Sequence, residues 1–112
     1  MKVCTGNDNG VARDENHIVV ETEEPRVVFS FCRKGNAVSA HFAADGVNKN
    51  GIKKAINEFC EWVFESMSWC EMILGIVCKR SIGHLIEQCG FEKLKSGTVK
   101  GQAATVYMRV RS

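Results

Sequence analysis

The sequence predicts one α/β domain in which a mixed, mostly antiparallel sheet carries two main helices. Residues 26–32 and 37–43 are β-rich runs on either side of Gly35-Asn36, a pair typical of a hairpin turn. Residues 49–67 follow helical spacing instead. A continuous apolar run at 72–78 comes next, and a strand–helix–strand unit over 38–78 requires a parallel crossover.

Size and charge limit the classes of partner. The chain has 112 residues, 45% of them hydrophobic and 25% charged, which suits one globular domain. A net charge of +2 creates no strong field towards nucleic acid or a membrane surface. No apolar run approaches the ~20 residues that span a bilayer, and the first residues lack the apolar core of a signal peptide. We therefore expect a cytoplasmic protein with no nucleic-acid or membrane partner.

The first elements are defined by polar breaks. Residues 1–16 are polar and without periodicity, which predicts a loose N-terminal arm, and residues 17–112 form the single domain. Within that domain residues 17–22 predict a short strand that ends at Glu23-Glu24-Pro25. The hairpin of 26–32 and 37–43 follows.

The helix at 49–67 has one continuous apolar stripe, and Asn48 precedes it as a plausible N-cap. The stripe consists of Ile52, Ala55, Ile56, Phe59 and Val63. After the buried strand at 71–78, a second helix is predicted at 81–89, and Gly90 with Phe91 ends it. Two final strands are predicted near 91–95 and 103–109, with residues 96–102 as the loop between them.

Six cysteines raise the question of a disulfide or metal site. They stand at positions 4, 32, 60, 70, 78 and 89, and no Cys-x-x-Cys pair occurs. Cys60, Cys78 and Cys89 lie within apolar patterns, where a free thiol behaves as a small hydrophobic group. We expect reduced structural thiols and no metal site.

The order of a buried strand, a one-sided helix and the Gly90-Phe91 stop resembles the C-terminal half of the GNAT (acyl-CoA N-acyltransferase) fold. The resemblance covers residues 27–110. It implies a GNAT-like twisted sheet with a parallel β-α-β crossover. Only a short segment precedes residue 27, and that segment shows no helical spacing. The resemblance therefore also implies that the N-terminal helices of the full fold are reduced or absent.

The resemblance also implies a cofactor site at the strand–helix turn. Active members hold the pyrophosphate of coenzyme A with a pattern similar to Arg/Gln-x-x-Gly-x-Gly/Ala, at a helix N-terminus that favours anions. The matching residues here are Asn48, Lys49, Asn50, Gly51, Ile52 and Lys53. The central glycine is kept, but Asn48 and Lys53 depart from the pattern. These six residues are the candidate acetyl-CoA ligands, and a glycine required only by a tight turn is the alternative.

The catalytic positions of the family are altered. A tyrosine in a Leu-Tyr-x-x-x-Gly-Phe pattern often protonates the departing thiolate, and Ile86 stands in its place after Leu85. His41 and Asp45, on or after the strand before the first helix, are the candidate general bases. A structural role for His41 is the alternative.

A narrower resemblance is to small GNAT-like proteins of tailed bacteriophages, described as head-assembly or internal virion proteins. The matching segments are residues 51–56, Ser81-Ile82 and residues 104–109. This resemblance implies a protein that acts in phage head assembly or virion morphogenesis without catalysis. Its partners would be phage or host proteins, in the bacterial host cytoplasm or in the virion.

Two other functions stay open at this point. One is a small active N-acetyltransferase that uses acetyl-CoA and an amine acceptor. The other is a binding module that docks a partner on its sheet edge or on an apolar helix face, in which case Trp62, Phe64 and Trp69 would be exposed.

Overall fold

Seven strands form one mixed sheet, and two helices pack on one face of it. The computed structural model describes residues 1–11 and 14–112, and these counts refer to those ranges. In chain order the elements are β1 (Lys2–Val3), β2 (Ile18–Glu21), β3 (Val28–Lys34), β4 (Ala37–Ala43), α1 (Lys49–Ser66), β5 (Met72–Val77), α2 (Arg80–Glu87), β6 (Glu92–Val99) and β7 (Gln102–Val110).

The strand order is β1-β2-β3-β4-β5-β7-β6. Among the described strands, β4 and β5 are the one parallel pair, joined through α1, and every other pairing is antiparallel. This arrangement confirms the predicted mixed sheet with one β-α-β crossover and two helices.

The last hairpin differs from the prediction. The segment 96–102 was predicted to be a loop, which is wrong, because β6 continues to Val99 and β7 begins at Gln102. Lys100 and Gly101 have φ values of 52° and 79°, as a tight two-residue hairpin turn requires. All eight residues of β6 are exposed, so this edge strand lacks the apolar alternation that marks a strand in a sequence.

Part of the segment 1–16 is attached to the sheet. β1 pairs with β2, and the Cys4 backbone N–H donates to the Val19 carbonyl at 3.0 Å. The Arg26 guanidinium pairs with the buried Glu21 carboxylate and also donates to the Asn7 carbonyl. Residues 2–4 therefore depart from the prediction of a loose arm, whereas residues 12–13 lie outside the described ranges.

The main core lies between the helices and one face of the sheet. Phe59 of α1 stacks on Phe29 with ring centroids 4.4 Å apart, and Phe31 meets the same ring edge-on at 5.7 Å. Asn48 is the N-cap of α1 as predicted, because its Oδ1 accepts the Gly51 N–H at 2.8 Å. Leu85 and Ile86 of α2 complete the same core.

The aromatic residues suggested as a docking surface are half-buried. Trp62 meets Phe31 edge-on at 5.8 Å, and the Arg33 guanidinium lies 3.9 Å from the centre of the Trp69 ring. Phe64 packs against the core and lies below Arg111. The exposure that the binding-module alternative requires is therefore not found at these three rings, because neighbouring side chains partly cover them.

Two further properties bear on function. All six cysteines are free thiols, and of these Cys78 is the exposed one. Across residues 1–11 and 14–112, neither helix has the length and hydrophobicity that a membrane span needs.

Candidate functional site

The parallel strands separate before they end. β4 and β5 pair from Ala37 and Met72 to Ala40 and Gly75, although both strands continue beyond that point. From there β5 stays paired with β7, up to Val77 opposite Thr105. The separation opens a cleft with a volume of about 390 Å³. We call it the strand cleft.

The walls of the strand cleft come from four segments. They are the end of β4 with Ala44 after it, the start of α1, the end of β5 with the residues after it, and the start of α2. The lining residues are Ala40, His41, Phe42, Ala43, Ala44, Ile52, Ile76, Val77, Cys78, Lys79 and Ile82. Most of the lining is apolar, and the titratable side chains among these residues are His41, Cys78 and Lys79.

His41 is one of the residues that line this cleft, and it is exposed to solvent. His41 pairs with Ser30 of β3, and both residues lie on the sheet face opposite α1. Partial burial lowers the pKa of His41 below its ordinary value of 6.5, and the nearby His17 lowers it further. The imidazole is therefore neutral at neutral pH and able to accept a proton. Asp45 lies in the exposed turn after β4 and is not among the lining residues.

The six residues of the predicted cofactor turn fall into different environments. Ile52 lines the strand cleft, and Lys49 and Asn50 are exposed in the first turn of α1. Lys53 points towards α2, where its Nζ donates to Gln88 Oε1 at 3.1 Å.

Packing alone requires a glycine at position 51. A Cβ atom there would lie 2.8 Å from Val47 Cγ1 and 3.0 Å from Pro25 Cγ. Close packing against Val47 and Pro25 therefore accounts for Gly51 without a cofactor.

No metal centre is evident in the part of the chain that the structure describes, since no cluster of three or more His, Cys, Asp or Glu side chains is placed to hold an ion. The chemistry available at the strand cleft is proton transfer by His41 and Lys79 and anion binding at the start of α1.

Comparison by sequence finds no protein-family model and no curated protein that matches this chain. Comparison by structure finds many matches. A point mutant of spermidine N-acetyltransferase from Vibrio cholerae aligns with a TM-score of 0.66 and 16% identity, over 87% of this chain and 67% of its own. A ribosomal-protein alanine acetyltransferase from Vibrio fischeri aligns with a TM-score of 0.68 and 13% identity, over 84% and 60%.

An aminoglycoside N(6′)-acetyltransferase from Legionella pneumophila aligns with a TM-score of 0.67 and 14% identity, over 84% of this chain and 62% of its own. The chain has a GNAT-like fold. At these identities the likeness establishes the fold alone. The chain spans about 60–67% of the length of these three acetyltransferases.

In the GNAT-like fold of this chain, Ile86 is a core residue. It is 4% exposed and lines a cavity of about 50 Å³ together with Cys60 and Phe91. Ala40, His41 and Phe42 line both this cavity and the strand cleft. Ile86 therefore has a structural role in the core, and its aliphatic side chain offers no proton donor.

Sequence reasoning missed the contribution of Val77, Cys78 and Lys79. The signal was available, because the carboxyl ends of two parallel strands lie at the same edge of a sheet, where ligand sites form. Applied to β4 and β5, that rule would have placed residues 77–79 beside His41 among the candidate site residues.

Proposed function

We propose that this protein is a small acyl-CoA-dependent N-acyltransferase with acetyl-CoA held in the strand cleft. The observation that carries the proposal is the separation of β4 from β5 beyond Ala40 and Gly75, with the start of α1 at the opening and His41 on the wall. Three structural neighbours are named as acetyltransferases of spermidine, a ribosomal protein and an aminoglycoside, which supports an amine acceptor.

The start of α1 suits the pyrophosphate of the cofactor. The first-turn backbone N–H groups and the helix dipole favour an anion there. Lys49 and Asn50 are exposed in that turn, and no acidic residue stands in it to repel a phosphate. Asn48 and Gly51 keep the turn in shape, and Ile52 lines the cleft behind it. These residues would hold acetyl-CoA, which supplies an activated acyl thioester.

His41 is the proposed general base. Its lowered pKa leaves the imidazole unprotonated at neutral pH, so it can take a proton from an amine acceptor. Asp45 stays a second candidate that would act only if the turn after β4 brought it to the acceptor. With Ile86 in the core, we assign the proton for the departing thiolate to water or to Lys79, the cleft residue that carries an ammonium group.

Calorimetric titration with acetyl-CoA tests the proposal, and Asn50→Glu is the informative variant. A carboxylate in the first turn of α1 should repel the pyrophosphate and weaken binding by about tenfold, although it favours the helix dipole and leaves the fold intact. Ser68→Glu is the matched control, because the same charge change is placed on an exposed residue beyond the other end of α1. Absence of acetyl-CoA binding to the wild type at millimolar ligand would reject the cofactor site.

The second candidate is a noncatalytic protein of phage head assembly or virion morphogenesis. The observations that favour it are the core position of Ile86 and the packing requirement at Gly51, since both family positions are then explained without a cofactor. Affinity purification from phage-infected cells, in the presence and absence of excess acetyl-CoA, tests it. Recovery of phage head proteins by a wild type that binds no acetyl-CoA would favour this function.

A further inference from the structure

A second opening lies on the other side of α2, between that helix and the β6–β7 hairpin. Its volume is about 490 Å³, and its polar walls are formed by Arg80, His84, Glu87, Lys93, Ser96 and Thr105. We call it the hairpin groove. It shares Val77, Cys78 and Lys79 with the strand cleft, and it contains neither His41 nor any residue of α1.

The helix α2 contacts the hairpin through Tyr107 of β7, beside the opening of the groove. Arg80, His84 and Glu87 recur at helical spacing on one side of α2, whereas Leu85 and Ile86 face the core. Between those sides Gly83 packs against Tyr107 of β7, where an added Cβ would lie 2.4 Å from the Tyr107 hydroxyl oxygen. The hairpin groove opens beside this contact.

The charge of the groove is strongly unbalanced. Lys79, Arg80 and Lys93 are fixed cations on its walls, and Glu87 is the carboxylate among its lining residues. Within the described ranges the ion pairs are Lys2–Glu23, His17–Asp14 and Arg26–Glu21, so none of these three cations is held in an ion pair. Glu87 itself accepts a long hydrogen bond, 3.5 Å, from the Tyr107 hydroxyl. An anion in the groove would meet positive charge from both walls.

The groove also offers hydroxyl groups and an apolar end. Ser96 Oγ and Thr105 Oγ1 lie 3.2 Å apart on the hairpin, facing α2. Val77, Ala103 and Ala104 supply apolar surface beside them. Guanidinium and ammonium groups combined with hydroxyl donors are the chemistry that binds phosphate. The volume is larger than a bare phosphate ion needs, which leaves room for an organic group.

We propose that the hairpin groove binds a phosphate monoester, with the phosphate held by Arg80, Lys93 and Lys79 and the organic group against the alanines of β7. Two sources carry this chemistry: the 3′-phosphate of coenzyme A, and an independent phosphorylated small molecule. The first source rests on the proposed function, whereas the second does not.

Calorimetric titration with adenosine 3′-monophosphate tests the proposal in the full chain, with adenosine as the ligand control. Saturable binding of the monophosphate is expected, weakened by about fivefold or more in Arg80→Gln and in Lys93→Gln. Lys54→Gln removes the same charge from an exposed residue of α1 that does not line the groove, and it should bind as the wild type does. Thermal unfolding of each variant confirms that the fold is kept.

Acetyl-CoA and its 3′-dephospho form separate the two sources. Weaker binding of acetyl-CoA but not of dephospho-acetyl-CoA in Arg80→Gln would assign the groove to the cofactor's own 3′-phosphate. Equal cofactor binding together with impaired binding of the monophosphate would assign it to an independent ligand. Failure of the acyltransferase proposal would show as absent binding of dephospho-acetyl-CoA to the wild type. The groove proposal is overturned by absent monophosphate binding together with equal binding of the two cofactor forms, or by an equal loss in Lys54→Gln.

Discussion

The Tyr107 hydroxyl group occupies the space that a side chain at Gly83 would need. A Cβ atom at position 83 would lie 2.4 Å from the hydroxyl oxygen and 3.1 Å from Cζ of the same ring. This contact joins α2 to the middle of β7. It explains why a glycine, a poor helix former, is kept inside an eight-residue helix.

Gly83→Ala is therefore expected to lower the free energy of unfolding by about 1–3 kcal/mol, because the clash outweighs the better helix propensity of alanine. Tyr107→Phe removes the nearest atom and should cost under about 1 kcal/mol, since only a 3.5 Å hydrogen bond to Glu87 is lost. The double variant should recover part of the loss. Chemical denaturation of the four proteins measures the coupling, and strict additivity would contradict the contact.

His41 should titrate below its ordinary pKa of 6.5, chiefly because burial disfavours the charged imidazolium. The unfolded chain then binds this proton at higher pH than the folded chain does. The contribution of His41 to stability is therefore complete above about pH 6.5 and declines as the pH falls through the lower folded pKa. NMR titration of the imidazole C–H signals measures this shift directly.

The variant His17→Asn tests the second cause of the lowered pKa of His41, which is the charge of His17. Loss of the nearby positive charge should move the pKa of His41 back towards its ordinary value, while burial keeps it below that value. No movement in this variant would show that His17 does not act on His41. If the protein is an active enzyme, the acylation rate should fall at low pH as His41 becomes protonated. His41→Gln should lower the acylation rate by about a hundredfold.

Arg111 closes the end of α1. Its guanidinium donates to the carbonyl oxygens of Phe64, Met67 and Cys70, each at 2.8 Å. Arg111→Lys keeps the charge but cannot reproduce three directed bonds, so the free energy of unfolding should fall by about 1–3 kcal/mol. Arg80→Lys, the same substitution at an exposed helix position, is the control in the same denaturation experiment, and its stability should be unchanged.

Thiol reactivity distinguishes Cys78 from the buried cysteines. Cys78 is exposed, whereas burial raises the pKa of Cys60 to about 12 and also raises the pKa of Cys70 and Cys89. A thiol reagent at pH 8 should label Cys78 first, because the thiolate is the reacting form. Mass spectrometry of the labelled protein, with Cys78→Ser as control, checks this order.

The same reaction reports on the strand cleft, since Cys78 lines it. If acetyl-CoA occupies the cleft, saturating cofactor should slow the labelling of Cys78. An unchanged rate at a cofactor concentration that calorimetry shows to be saturating would place the cofactor elsewhere.

The parts of the fold that depend on local signals were predictable. The apolar stripe from Ile52 to Val63 and the capping side chain of Asn48 define α1 within one residue, because both signals come from residues that are close together in the sequence. The β4–β5 crossover followed from the same reasoning. The strands of the last hairpin were harder, because an exposed edge strand such as Glu92–Val99 buries no face to create a pattern.

The candidate site was only partly predictable. His41 and Ile52 were identified from the sequence and do line the strand cleft. Lys79 was not, because its place depends on where β5 leaves β4, and that is a property of strand pairing. Likewise His84 and Glu87 lie on an exposed helix face, and only the position of the β6–β7 hairpin makes that face a wall of the hairpin groove.

The strand order also determines when the sheet can be completed during biosynthesis. Because β7 lies between β5 and β6, one edge of β5 and all of β6 have no partner until Gln102–Val110 have left the ribosome. A nascent chain stalled at the end of β6 would hold a sheet open along β5, with Ile73 and the core behind it accessible to water and to other chains. Arg111, just after β7, then connects this last strand to the end of α1. Chaperone dependence during synthesis should therefore persist until Gln102–Val110 have emerged from the ribosome.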